Sequence, residues 1–502
     1  MHGERRQQAT TPSASLRESW VPADRERAGG GERAGRRLAA WTREHWGLAI
    51  FLLALVLRCA FMLSYGLSAP PIAWGDDTDY DAIARGLAGP AHLYQNTWFP
   101  PGYPLFLALV YGLAGPLKVV AVRLIQAVLS AATCWLTYAI ARHAFGAIPG
   151  RVAGLLLALY PGHVYMAWRL MAETLFTLLI ALAVLATQRA LARFDARERT
   201  AWPALWTAAG AGLALGAATL FKSNLLLLVP LFVLWLAVAV PGTARRRAAA
   251  AAAMAASCGL LLLASPLANR FSPLHRAAWL PGNGGPTLWW SNNPLADGYF
   301  VDPDNTPAGN AFIDRHGLES AALETRDPAV RDRADRQLAW AWIRENPRAF
   351  VRLAGRKLWN AFGPLPRAEL FSRDELAARV QALVYGSLLP LIGAGLWLSR
   401  RCLRQAMPLY LTIGSYAAMT VIFYGTPRFT LVVMPYLLAF AGLAVGAAWR
   451  WSCRRKRRTW RKRSLPERQV GIASGRSRPE RPVAGPSLAG SASGRLATRR
   501  GA

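Results

Sequence analysis

Trp74-Gly75-Asp76-Asp77-Thr78-Asp79-Tyr80-Asp81 sets four carboxylates within six residues, directly after a long apolar block. Acids this close repel one another unless a metal ion, another cation or a proton separates them. Such a group suits general-base work, or the holding of a divalent cation with Asp76 and Asp79 as its ligands. The blander reading is a solvated loop whose acids favour the start of a following helix, Tyr80–Leu87. A second acid, Glu173 in Arg169-Leu170-Met171-Ala172-Glu173-Thr174, lies between two apolar blocks where solubility needs no charge. Its blander reading is an ion pair with Arg169, four residues earlier on one helical face. Three cations complete the set: Arg123 inside an apolar block, Lys222 at the end of another, and Arg428 in Tyr424-Gly425-Thr426-Pro427-Arg428-Phe429. They could snorkel to lipid headgroups, or converge on one phosphate held at a membrane surface. The catalytic candidates are therefore Asp76, Asp77 and Glu173. Arg123, Lys222 and Arg428 are the phosphate-binding candidates.

The elements that must position these residues follow from composition. Of 502 residues, 53% are apolar and 17% charged, with 20 Trp, and the apolar ones come in blocks of membrane-spanning length. A single soluble domain and a disordered chain are both excluded. The expected spans are Gly47–Leu67, Val119–Ala141, Val152–Trp168, Leu170–Ala190, Ala204–Phe221, Leu225–Val240, Ala248–Leu267, Val380–Leu398, Met407–Tyr424 and Thr430–Trp449. Tyr103–Leu117 is apolar but short and carries Pro104, Gly112 and Pro116, which suits a re-entrant or partly inserted helix. The fold class is an all-α polytopic membrane protein.

Charge gives the orientation. Residues 450–502 hold 16 Lys and Arg against 2 Asp and Glu, so 14 of the 31 excess positive charges sit in one tail. Basic loop charge on a membrane protein orients it and touches anionic lipid, so nucleic-acid binding is not expected. If Tyr103–Leu117 does not cross, then Arg142/Arg151, Arg189/Arg193/Arg197/Arg199, Arg245–Arg247, Arg400/Arg401/Arg404 and both tails share one side. That is the positive-inside pattern, with both termini cytoplasmic.

The domains are thus a basic, disordered tail over 1–45, a transmembrane domain over 46–449 and a second basic, disordered tail over 450–502. A cleavable signal peptide is not expected, because the first apolar run starts only at Trp46. Two outward loops are large, 68–101 and 269–377. Pro328–Phe362 in the second repeats Leu338, Trp342, Ile343, Phe350, Leu353 and Trp359 at near-helical spacing, as in an amphipathic surface helix. Cys59, Cys134 and Cys258 fall in spans and Cys402 and Cys453 on the cytoplasmic side, so no disulfide is expected.

In order along the chain, WGDDTDYDAIARGLAG, FPPGYPLFLAL, AVRLIQAVLSA, LLLALYPGHVYMAWRLMAETLFTLL, NNPLADG, ENPRAFVRLAGRKLW and PRFTLVVMPYLL follow one another. This series resembles the bacterial GT-C glycosyltransferases of the family 39 type, relatives of the protein O-mannosyltransferases and of the lipid A aminoarabinose transferase. The resemblance covers about residues 46–449. It implies a bundle of about 10–12 transmembrane helices with two outward loops carrying amphipathic helices. It also implies transfer of a hexose or pentose from a polyprenyl-phosphate donor to an envelope lipid, glycan or protein, at the outer face of the bacterial inner membrane. In the family an acid of the first outward loop is the presumed base, matching Asp76 or Asp77, and a later acid matches Glu173. The basic residues facing the donor phosphate match Lys222 and Arg428. Lys222-Ser223-Asn224 departs from the family's common Arg or Lys followed by Pro. A divalent metal ion is left open, since His92, His163, His275 and His316 are scattered. The rival classes are a lipid or sugar transporter or flippase, which would place charges at mid-membrane in repeated halves, and a non-catalytic scaffold, which would not need the acids.

Overall fold

The computed structural model describes residues 30–69, 75–89, 98–196, 200–263, 283–304, 306–317, 327–364 and 375–463. Trp74, His92, His275 and Ser474 lie outside them. The chain divides into two units, Met1–Arg450 and Trp451–Ala502, and the helical bundle with its candidate site belongs to the first.

Among the described residues the fold is helical. The helices are α1 (Gly30–Tyr65), α2 (Asp76–Ala88), α3 (Gly102–Ala114), α4 (Lys118–Phe145), α5 (Ala147–Leu159), α6 (Pro161–Trp168), α7 (Glu173–Asp195), α8 (Trp202–Phe221), α9 (Leu228–Ala239) and α10 (Ala244–Leu262). After them come α11 (Gly284–Ser291), α12 (Pro307–Arg315), α13 (Pro328–Glu345), α14 (Pro347–Phe362), α15 (Glu375–Ser399), α16 (Leu403–Ile422) and α17 (Pro427–Arg463). Among the described residues, six segments are long and apolar enough to cross a membrane: His45–Tyr65, Gly102–Phe145, Glu173–Asp195, Trp202–Phe221, Ala378–Ile422 and Pro427–Cys453. Ala147–Leu159 and Leu228–Ala239 are apolar but shorter. The chain is a multi-pass membrane protein.

Burial sorts these helices. In the apolar window of α17, 83% of residues are buried, against 28% in that of α1. So α17 runs through the core, while α1 and α3 turn Leu63 and Leu113 outward, the side a bilayer would cover. Helices α8 and α10 pack closely because Gly212 and Gly216 leave no side chain between backbones: a Cβ at Gly212 would lie 2.1 Å from the Met254 carbonyl oxygen.

Three sequence expectations shift. Helix α1 begins at Gly30, inside the stretch read as a disordered tail, and α17 continues to Arg463. Both extensions are rich in residues that favour helix. The expected span Val152–Trp168 is two helices, because Pro161 holds Tyr160 extended (φ −71°, ψ 116°) and ends α5.

Two smaller clusters sit beside the main core. Tyr80 and Ala84 of α2 pack on Tyr103 and Leu107 of α3, with the Tyr80 and Tyr103 rings 4.8 Å apart. Helices α11 to α14 bury Leu288, Trp289, Phe312, Leu338, Trp342 and Leu353 together.

Candidate functional site

Gly75 decides how the acidic run enters the fold. Its φ of 87° suits only glycine, and it turns the chain directly into α2. Asp76, Asp77 and Asp79 then occupy the first helical turn, where the positive end of the helix dipole favours them. At about 100° per residue, successive acids point different ways. Asp77 shares the buried face of Tyr80 and Ala84, Asp79 is exposed, and Asp76 is partly buried. The run is therefore no single carboxylate nest.

Each of three acids has its own cation. Asp77 accepts from Arg169 Nε through Oδ1 at 3.0 Å and Oδ2 at 2.6 Å, and both side chains are almost wholly buried. Burial pushes the Asp77 carboxyl above its usual range, while the bonded guanidinium pulls the other way. Asp81 accepts from Arg85 Nε at 2.7 Å and from the Tyr111 hydroxyl at 2.6 Å. Asp76 Oδ2 accepts from Arg428 Nη2 at 2.8 Å.

Arg428 joins the acids to a second centre. It follows Pro427 in the first turn of α17, and Glu173 opens α7. Glu173 Oε1 accepts from Arg428 Nη2 at 2.7 Å, from Arg428 Nε at 3.1 Å and from Lys222 Nζ at 2.7 Å. Lys222 reaches it because the chain leaves α8 there in an extended conformation. Glu173 is 2% exposed, and its Oε2 is buried without a hydrogen-bond partner. Four of the candidate residues thus converge from four segments: Asp76, Glu173, Lys222 and Arg428. Two carboxylates face two cations.

Two expectations fail here. Glu173 does not pair with Arg169, because α6 ends at Trp168 and Arg169 itself is extended (φ −66°, ψ 144°), so no helical face joins them. Arg123 is not part of the convergence. Its guanidinium donates to the carbonyls of Trp168, Gly66, Leu67 and Ala69 and stacks 4.4 Å from the Trp168 ring, tying α4 to the end of α1.

No cluster of three or more His, Cys, Asp or Glu side chains suited to a metal ion occurs among the described residues. His163 is buried with Nε2 2.7 Å from the Leu431 carbonyl oxygen, and His316 Nε2 lies 2.5 Å from Glu345 Oε1. Both are structural contacts.

Sequence reasoning missed Lys357. It is fully buried in α14 and donates to Asn292 Oδ1 at 2.7 Å and to the Val421 carbonyl at 3.2 Å. Burial pushes its amine down to about 7. The signal was present: Leu353, Lys357 and Ala361 fall four residues apart on one helical face.

Comparison with known proteins finds a family match over part of the chain and a shared fold. Residues 99–268 match the family described as dolichyl-phosphate-mannose-protein mannosyltransferase. No curated protein matches the chain. Its structure is similar to the apo oligosaccharyltransferase of Archaeoglobus fulgidus, at 14% identity and a TM-score of 0.50, over 81% of this chain and 51% of that one. It is also similar to the Archaeoglobus fulgidus oligosaccharyltransferase AglB in complex with an inhibitory peptide and a dolichol-phosphate, at 13% identity and a TM-score of 0.49, over 87% and 53%. A third likeness is to ArnT from Cupriavidus metallidurans bound to undecaprenyl phosphate, at 15% identity and a TM-score of 0.35, over 80% and 78%. The chain thus spans about half the length of the oligosaccharyltransferase structures it matches. The GT-C resemblance read from the motifs is borne out by the family match over 99–268 and by the shared fold.

Proposed function

We propose that this protein moves a sugar from a polyprenyl-phosphate donor to a hydroxyl of an envelope lipid, glycan or protein at the outer face of the bacterial inner membrane. The observation that carries this reading is the convergence of Asp76, Glu173, Lys222 and Arg428 beside the first turn of the core helix α17. The matching family's description, which names a lipid-phosphate sugar, supports the donor class.

Such a donor stays in the bilayer, so its phosphate must be met at the rim. The acceptor hydroxyl gives its proton to Asp76 as its oxygen bonds the anomeric carbon. The bond from that carbon to the phosphate oxygen breaks, and polyprenyl phosphate leaves with added negative charge. Arg428 and Lys222 stabilise that charge in a partly dry site. Attack opposite the leaving group inverts the anomeric carbon. Glu173 holds the two cations side by side through one oxygen. A divalent cation used by the reaction would draw on the partly exposed Asp76 and the exposed Asp79, since Asp77 and Glu173 are buried in ion pairs.

Reconstituted protein incubated with labelled polyprenyl-phosphate sugars and an envelope extract should pass label to the acceptor. Label that only crosses the bilayer, still on its lipid, would mark a transporter instead.

Arg428→Ala should raise the KM for the lipid donor roughly 10- to 100-fold, the worth of a hydrogen bond between charged groups. It should lower the melting temperature only modestly, because Lys222 still holds Glu173. An unchanged donor KM would remove Arg428 from the phosphate site.

The same reading puts both termini in the cytoplasm and Asn269–Ala377 outside. A cysteine introduced at Asp304 should react with an impermeant maleimide on intact cells, and one at Ser474 only after lysis. The reverse pattern would invert the topology.

A further inference from the structure

Helix α14 exposes large apolar side chains beside a row of arginines. Its inner face buries Leu353, Lys357 and Ala361, while its outer face exposes Val351 at 69% and Trp359 at 61%. Arg348, Arg352 and Arg356 are exposed on that same outer face, spaced at one turn. The helix contains no acid, and none of the three arginines meets a carboxylate among the described residues. A solvated helix would normally interleave acids with such a stripe or keep its Trp inside.

The position of α14 supplies the reason. Lys357 Nζ donates to the Val421 carbonyl, and Asn292, which holds Lys357, donates to the Ile422 carbonyl at 2.9 Å. Thr430 Oγ1 donates to the Ala361 carbonyl. A Cβ at Gly425 would lie 1.8 Å from the Lys357 carbonyl oxygen, so the two backbones touch. Residues 423–426 join the spanning segments Ala378–Ile422 and Pro427–Cys453, and Val421, Ile422 and Thr430 flank that turn. Helix α14 is therefore fastened to a turn between two spans, at the level of the membrane boundary.

We propose that the outer face of α14 is a docking surface for anionic phospholipid headgroups, with the three arginines on lipid phosphates and Val351 and Trp359 entering the interface. Arginine binds phosphate with two parallel hydrogen bonds, and Trp favours the boundary between headgroup and acyl chain. A soluble polyanion would match the charge but would leave Val351 and Trp359 in water.

Gly355 lies on the same face, and a Cβ there meets nothing within 4 Å. A polarity-sensitive dye on G355C therefore reports the surface without disturbing the packing. The label is confined to it by replacing Cys59, Cys402 and Cys453 with serine. The full chain is reconstituted in phosphatidylcholine vesicles with or without phosphatidylglycerol. Emission should shift to the blue with phosphatidylglycerol. The shift should shrink on raising salt from about 0.1 M to about 1 M, where the screening length falls from about 10 Å to about 3 Å. Each arginine near an anionic surface is worth about fivefold in binding. The combined variant R348Q/R352Q/R356Q should therefore lose the shift at every lipid composition. Equal emission in the two vesicles, or a shift indifferent to salt, would overturn the proposal without any mutation. A shift produced by soluble polyphosphate in pure phosphatidylcholine would assign the surface to a soluble polyanion and equally overturn it.

Discussion

Asp76→Asn should insert and fold like the natural chain yet transfer sugar about 10²- to 10⁴-fold more slowly, the usual worth of a general base. Asparagine keeps the size of the side chain and one acceptor for Arg428, but it cannot take a proton. The sequence left Asp76 and Asp77 open as the base, and geometry separates them. The Asp76 side chain is 31% exposed, whereas Asp77 is 1% exposed and held through both oxygens by Arg169. Glu173 is 2% exposed and its Oε1 already takes three hydrogen bonds. Of these three acids, Asp76 alone has exposed surface through which to meet an incoming hydroxyl. Transfer by reconstituted protein, set beside a melting curve, tests this. Full transfer in Asp76→Asn would end the general-base role and move the search to Glu173.

Much of this site was legible in the sequence because charge is costly next to apolar blocks. Asp76, Asp77, Glu173, Lys222 and Arg428 stand out on that ground alone, and four of them do converge. Pairing was less legible. Arg169 and Glu173 are spaced for a helical contact, but Pro161 ends α5 and the short α6 stops at Trp168, so the spacing misleads. Arg123 carries the same charge as Arg428, and a sequence does not show that four backbone carbonyls consume it. Those carbonyls belong to Gly66, Leu67, Ala69 and Trp168, where helices end and backbone acceptors are left over. The run of four acids suggested a shared site because spacing along the chain hides the helical rotation that scatters them.

Asp77→Asn should cost stability rather than chemistry, by about 3–5 kcal/mol, because it removes the buried carboxylate that pairs with the Arg169 guanidinium. The partner variant Arg169→Met should cost less. A guanidinium cannot shed its proton, but a buried carboxyl can take one up and become neutral. Burial already pushes Asp77 upward, and removing Arg169 takes away the main opposing pull. The sign of the pH dependence follows. A carboxyl whose folded pKa is raised binds a proton more tightly than the unfolded chain does, so it favours folding at low pH and that benefit is lost as pH rises through the folded pKa. The deficit of Arg169→Met should therefore shrink as pH falls toward the carboxylate range, while that of Asp77→Asn, which lacks the carboxyl that takes up this proton in the natural chain, should widen. Chemical unfolding of both variants at several pH values measures this directly. A larger loss in Arg169→Met than in Asp77→Asn at neutral pH, or two deficits that run parallel with pH, would show that the pair is not the buried clamp holding α2 in place under Asp76.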